Sequence, residues 1–114
     1  GRVAIMVGDV AGKGMPAALL MSATRALLRS LARTDSSPGK TLTRLSDALT
    51  GDLPVGKFIT MIYAVLDARS REITVASAGH LRPLLINGTC SFLEIDTGLP
   101  LGLGASSYPE YRIR

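Results

Sequence analysis

The stretch GDVAGKGMPAALLM, residues 8–21, sets the tightest limit on what this chain can fold into. Before it runs RVAIMV, residues 2–7, a short apolar run that reads as a buried central strand. After it, Leu19, Leu20, Ala23, Leu27, Leu28 and Leu31 recur at helical spacing, which predicts a helix over 15–32. Pro16 fits the first turn of that helix, where its missing N–H is harmless. Only Gly8–Gly14 remains to connect the two elements. It carries one carboxylate, Asp9, and two glycines, Gly12 and Gly14, that let the main chain turn tightly or approach a ligand without a Cβ in the way.

Two readings of Asp9 stand side by side. An aspartate after a strand can cap the next turn through its own backbone N–H groups. It can also be a metal-site or phosphate-site carboxylate, fixed in position by rigid backbone, with the helix N-terminus offering N–H groups to an anion. A nucleotide P-loop fails on spacing. Three residues, not four, separate Gly8 from Gly12, and Lys13 is followed by Gly14 rather than Ser or Thr. Lys13 itself is either a phosphate contact or a solvated loop lysine.

Beyond the first helix, TDSSPGK (34–40) has loop composition, and Leu42, Leu45 and Leu49 predict a second helix over 41–49, with Pro38 near its start. FITMIYAVL (58–66) reads as a strand, Asp67–Ser70 as a turn, and REITVASA (71–78) as the returning strand of a hairpin. PLLI (83–86) and residues 90–95 flank Asn87-Gly88, a strong turn signal. GLPLGLG (98–104) reads as a structured loop and 108–114 as the start of another strand. The order strand, helix, helix, then strands predicts an α+β layer fold with both helices on one antiparallel sheet. Neither end of the chain tapers into polar residues, so we expect part of a larger domain.

With 114 residues the chain can bury one modest core. Thirteen basic residues oppose nine acidic ones, and Arg25, Arg29 and Arg33 share one helix face, which reads as a solvated or partner-facing surface and leaves acidic or phosphorylated partners open. No basic run alternates with aromatics, so nucleic-acid binding is not expected. Cys90 is the single cysteine, which fits a reducing, cytoplasmic setting, and its apolar surroundings predict an inert buried thiol. No apolar stretch reaches the length of a membrane span, and no membrane contact is expected of this segment.

His80, the one histidine, sits in Ala78-Gly79-His80 where a strand gives way to a turn. It reads as a structural histidine hydrogen-bonded at the strand end. No GxSxG elbow accompanies it to make a triad, and too few His and Cys exist for a zinc site. Thr60 has no signal of its own, since threonine is ordinary in a strand.

Four segments together resemble one family. GDVAGKGMPAALLM is similar to the metal-binding turn and following helix of the metal-dependent (PPM, type 2C) serine/threonine protein phosphatases, most of all the bacterial SpoIIE and RsbU branch. Phe58-Ile59-Thr60, Ala78-Gly79-His80 with Pro83, and Gly98-Leu99-Pro100-Leu101-Gly102 follow in the family's order. The resemblance implies a four-layer α-β-β-α sandwich, here incomplete at both ends, and a centre of two Mn²⁺ or Mg²⁺ ions. By similarity, Asp9 bridges both metals as the catalytic carboxylate, and the carbonyl of Val10 is a second ligand. Gly12, Lys13, Gly14, Thr60, Gly79 and His80 match positions that shape the cleft or its phosphate side; Lys13 stands where the family often has histidine.

The resemblance further implies hydrolysis of phosphoserine or phosphothreonine by a water activated between the two metals. The family's first metal-binding Asp falls just before residue 1, and its later ones beyond Arg114. We therefore expect residues 1–114 alone to be inactive and the parent protein to be active. The implied partners are a phosphorylated protein such as an anti-anti-sigma factor, an upstream sensor or receiver domain, and a second copy in a homodimer. The alternative is a PPM-like binding or regulatory module that has lost catalysis.

Overall fold

A computed structural model describes residues 1–104 and 106–114. The elements, in chain order, are β1 (Arg2–Val10), α1 (Met15–Ala32), α2 (Pro38–Leu49), β2 (Ile59–Asp67), β3 (Glu72–Ala78), β4 (Leu84–Ile86), β5 (Cys90–Phe92) and β6 (Tyr111–Ile113). One antiparallel sheet has the order β1-β2-β3-β6, and β4-β5 form a separate hairpin. Helices and antiparallel sheets together give the α+β class expected. Both helices cover one face of the four-stranded sheet.

Side chains alternate across the sheet, so register decides which face each residue serves. Ile59, Met61, Tyr63 and Val65 of β2 are buried under the helices with Ala76 and Ala78 of β3. Leu42, Leu45 and Leu49 of α2 and Leu28 of α1 close the core from above. Leu42 and Leu45 are fully buried; truncating such a leucine to alanine typically costs about 2–5 kcal/mol.

The first strand differs from expectation in two respects. It is an edge strand, not a central one, and Val3, Ile5 and Val7 on its far face are 56%, 51% and 57% exposed. They pair with Leu66, Ala64 and Ile62, so an apolar stretch of the sheet faces away from the helices. The apolar run is a strand as expected, but its outer face is exposed, whereas Val75 and Ser77 of β3 on the same face are buried. The strand also runs on through Gly8, Asp9 and Val10, which pair with Met61, Thr60 and Ile59, and the turn shrinks to 11–14.

Helix α2 begins at Pro38 rather than Thr41. Ser37 is its N-cap, accepting a hydrogen bond from the Lys40 N–H at 3.2 Å, and Pro38 takes the first turn. The Glu110 carboxylate reinforces this end, accepting from the Gly39 N–H at 3.0 Å and from the Ser37 hydroxyl. Cys90 is a further correction: it is exposed, because the β4-β5 hairpin stands outside the core and β5 is exposed along its length. The hairpin is held on its own surface by an Arg82–Glu94 ion pair at 2.7 Å and by Arg82 lying over the Phe92 ring.

Candidate metal and phosphate site

Ladder phase fixes what Asp9 and Val10 present. At one end of β1 the Ala68 N–H donates to the Gly1 carbonyl at 3.2 Å, and at the other the Ala11 N–H donates to the Phe58 carbonyl at 2.9 Å. Both bonds belong to odd-numbered residues of β1, so Asp9 exchanges backbone bonds with Thr60 while even-numbered residues turn their N–H and C=O to the open edge. The Val10 carbonyl therefore points away from β2, and no described strand lies on that side. The Asp9 side chain lies on the sheet face opposite the helices and is exposed.

The capping reading of Asp9 fails in this geometry. Asp35 and Asp67 do cap their own turns, through Ser37 N–H at 2.8 Å and Arg69 N–H at 2.9 Å. Asp9 is still inside the ladder, and among the described residues its carboxylate accepts no hydrogen bond. An exposed carboxylate and a free carbonyl on consecutive residues are hard oxygen donors, the kind Mg²⁺ and Mn²⁺ take. They fit part of such a site. Among the described residues no group of three or more His, Cys, Asp and Glu side chains could hold an ion.

The turn after Val10 depends on its glycines. Gly12 has φ +115° and Gly14 φ +81°, a region that L side chains avoid. A Cβ on Gly12 would also lie 2.8 Å from Lys57 Nζ. Lys57, half-buried just before β2, thus lays its ammonium against the turn. Nothing in the sequence marked it: a lysine after Gly56 reads as a solvated loop residue. Lys13, in the turn itself, is exposed. Gly14 is the N-cap of α1, which receives no side-chain cap and has no acidic residue in its first turn. Its first N–H groups stay available to an anion.

Thr60 sits directly across from Asp9 and shares its face. Its Oγ1 lies 2.9 Å from Nδ1 of His80, at the exit of β3. The structure so brings Asp9, Thr60 and His80 into one row along the end of the sheet, with His80 hydrogen-bonded at the strand end. Gly79 has φ +65°, and a Cβ there would lie 2.6 Å from Pro100 Cγ. Leu101 bridges to Ile59 through N–H···O bonds of 2.7 and 3.2 Å, and the Gly98 N–H donates to the Ser77 carbonyl at 2.9 Å. The loop 98–104 is thus tied through Gly98 and Leu101 to the ends of β3 and β2.

The four segments spread over the sequence are one continuous structure at one end of the sheet. The family model of Stage II sporulation protein E (SpoIIE) matches residues 1–114. The chain belongs to the SpoIIE family. It is 40% identical over 76 residues to the phosphoserine phosphatase RsbU of Bacillus subtilis (strain 168), covering 67% of this chain and 23% of that protein. It superposes on the RsbU and RsbW domains of Rv1364c from Mycobacterium tuberculosis with a TM-score of 0.83 at 30% identity, over 96% of this chain and 32% of that one. The structure of the PP2C phosphatase domain and a fragment of the regulatory domain of SpoIIE from Bacillus subtilis gives a TM-score of 0.80 at 14% identity, over 99% of this chain and 34% of that one. The last likeness establishes the fold, and the PPM-type phosphatase resemblance drawn from the motifs holds.

Proposed function

We propose that this SpoIIE-family chain is the metal-turn portion of a single phosphatase domain, and that the longer protein hydrolyses phosphoserine or phosphothreonine in a regulatory protein. One observation carries the reading: Asp9 and Val10 present a carboxylate and a carbonyl from the rigid end of a strand, beside a turn whose glycines are required by their backbone angles. The relative RsbU is a phosphoserine phosphatase by name, which supports the substrate class.

Asp9 and the Val10 carbonyl would contribute two of the ligands for Mn²⁺ or Mg²⁺, with further carboxylates coming from outside residues 1–114. Bound there, the ions would neutralise phosphate charge and activate water as the nucleophile. The chain's own residues do the rest. Paired backbone holds Asp9 in place, Thr60 and His80 fix the neighbouring floor of the cleft, and the α1 N-terminus and Lys13 offer positive potential to the phosphate. The substrate we favour is an anti-anti-sigma type protein, in a cytoplasmic pathway, with an upstream sensor or receiver domain and dimerisation as its control. No helix among the described residues is long and apolar enough to cross a membrane.

The test is phosphoserine-peptide hydrolysis by the full-length protein with and without Mn²⁺, beside its Asp9→Asn variant. Activity that needs both the metal and Asp9 is expected. A folded protein that neither turns over nor binds Mn²⁺ would instead be a regulatory module without catalysis, and residues 1–114 alone should show no turnover.

A further inference from the structure

The Asp9 turn has a second side. Where Asp9 faces away from the helices, the Val10 side chain faces toward them and is packed against the core. Between that side chain, Ala17 and Leu20 of α1, and Pro54 of the loop after α2 lies a cavity of about 220 Å³. Lys13 and Lys57 also line it, and among the described residues no carboxylate does.

Its dimensions and chemistry select an occupant. Sites for drug-sized ligands usually measure about 300–1,000 Å³, so this one suits a single side chain and not a whole cofactor. The apolar walls favour an aliphatic or aromatic group, which gains by leaving water. Two ammonium groups with no opposing carboxylate favour a negatively charged carrier for that group. The walls are held by regular structure: the end of β1, the first turns of α1, and a loop closed by the Lys57 N–H bond to the Pro54 carbonyl at 3.0 Å. Most important is continuity. Val10 gives its carbonyl to the open strand edge and its side chain to the cavity, and Gly12 and Lys13 belong to both the turn and the cavity wall. A group seated in the cavity therefore lies within a residue or two of the turn proposed to receive the phosphate.

We propose that this cavity is a substrate subsite that takes an apolar side chain next to the phosphorylated residue of an acidic protein segment, with Lys13 and Lys57 contacting that segment's negative charge. This rests on the phosphatase reading above. It adds a basis for choosing among phosphoproteins, since phosphate contacts alone treat every phosphoserine alike.

The experiment uses the full-length protein and two fluorescent phosphoserine peptides, identical and acidic except for Leu or Gly beside the phosphoserine. Binding is read by anisotropy, and hydrolysis of p-nitrophenyl phosphate is followed in the same wild-type sample. One methylene more or less in a hydrophobic pocket changes discrimination by about 10- to 200-fold, so the Leu peptide should bind at least about tenfold more tightly. Ala17→Leu, which fills the cavity from α1, should abolish the difference in a protein whose circular dichroism is unchanged. Lys57→Gln should weaken both peptides while keeping their order. Equal binding of the two peptides by the wild type would overturn the subsite, as would a preference that survives Ala17→Leu. So would a change of oligomeric state with Ala17→Leu, which would give the cavity to a second copy of the chain. Loss of p-nitrophenyl phosphate turnover in the wild type reports on the phosphatase reading alone, because the peptide comparison is made by binding.

Discussion

Thr60 Oγ1 lies 2.9 Å from His80 Nδ1, joining the start of β2 to the exit of β3 on the face that carries Asp9. Asp9 and Thr60 are ladder partners, so whatever fixes Thr60 also fixes the strand end from which Asp9 projects. His80 is held by a neighbour of the site and is not itself beside Val10 or Gly12 in the ladder.

Thr60→Val keeps the shape of the side chain and removes the hydroxyl. A net loss of about 1 kcal/mol is expected for a half-buried hydrogen bond of this kind. Urea denaturation of Thr60→Val, His80→Phe and the double variant checks it. A coupling energy near zero would mean that the two side chains stabilise the fold independently.

Gly79→Ala should destabilise more than Gly88→Ala. Both glycines have positive φ, +65° and +91°, so each alanine meets backbone strain of about 1–2 kcal/mol. At Gly88 the new Cβ meets nothing within 4 Å, whereas at Gly79 it meets Pro100 at 2.6 Å. Thermal melts of the two variants should therefore separate, and adding Pro100→Ala to Gly79→Ala should recover part of the loss. Equal melting temperatures would deny the close approach.

Glu110→Gln should loosen the start of α2. The carboxylate serves the Gly39 N–H and the Ser37 hydroxyl at a helix N-terminus, where negative charge is favoured. A loss of about 1 kcal/mol is expected, within the usual range for a cap. Amide hydrogen exchange at Gly39 and Lys40 reports it directly, and unchanged protection there would refute the role.

Acid should weaken the β2-β3 hairpin through Asp67. The Arg69 N–H, and then the Arg2 side chain, favour its charged form and hold its carboxyl below the ordinary carboxylate range. The folded state thus binds this proton less readily than the unfolded state. The contribution is complete above the unfolded pKa and is lost as the pH falls through the lowered folded value. Asp67→Asn should therefore lower the urea midpoint at pH 7, and the gap from wild type should close on acidification. A gap that persists at the lowest pH would point to lost geometry and not to charge.

The local elements were largely legible because each rests on a pattern within a few residues. The leucine spacing of α1, the β-branched run of β2, the Asn87-Gly88 turn and the glycines at 12 and 14 all specify backbone conformation locally. The errors fall where the deciding contact is distant in sequence. The start of α2 is set in part by Glu110, more than seventy residues away. The exposure of Cys90 follows from where its hairpin docks, and an apolar strand reads the same at the edge of a sheet as at its centre.

The sequence by itself determined the strand–turn–helix around Asp9, the hairpins and the family, because glycine torsions, side-chain periodicity and motif order need no partner. Only the tertiary structure decided the rest. Ladder phase turned the Val10 carbonyl to the open edge, register set Thr60 opposite Asp9, and chain crossing brought Lys57 against Gly12 and Pro100 against Gly79. Those are contacts between segments that no local torsional preference can encode. They form only when the helices bury one face of the sheet and fix which side of every strand looks outward.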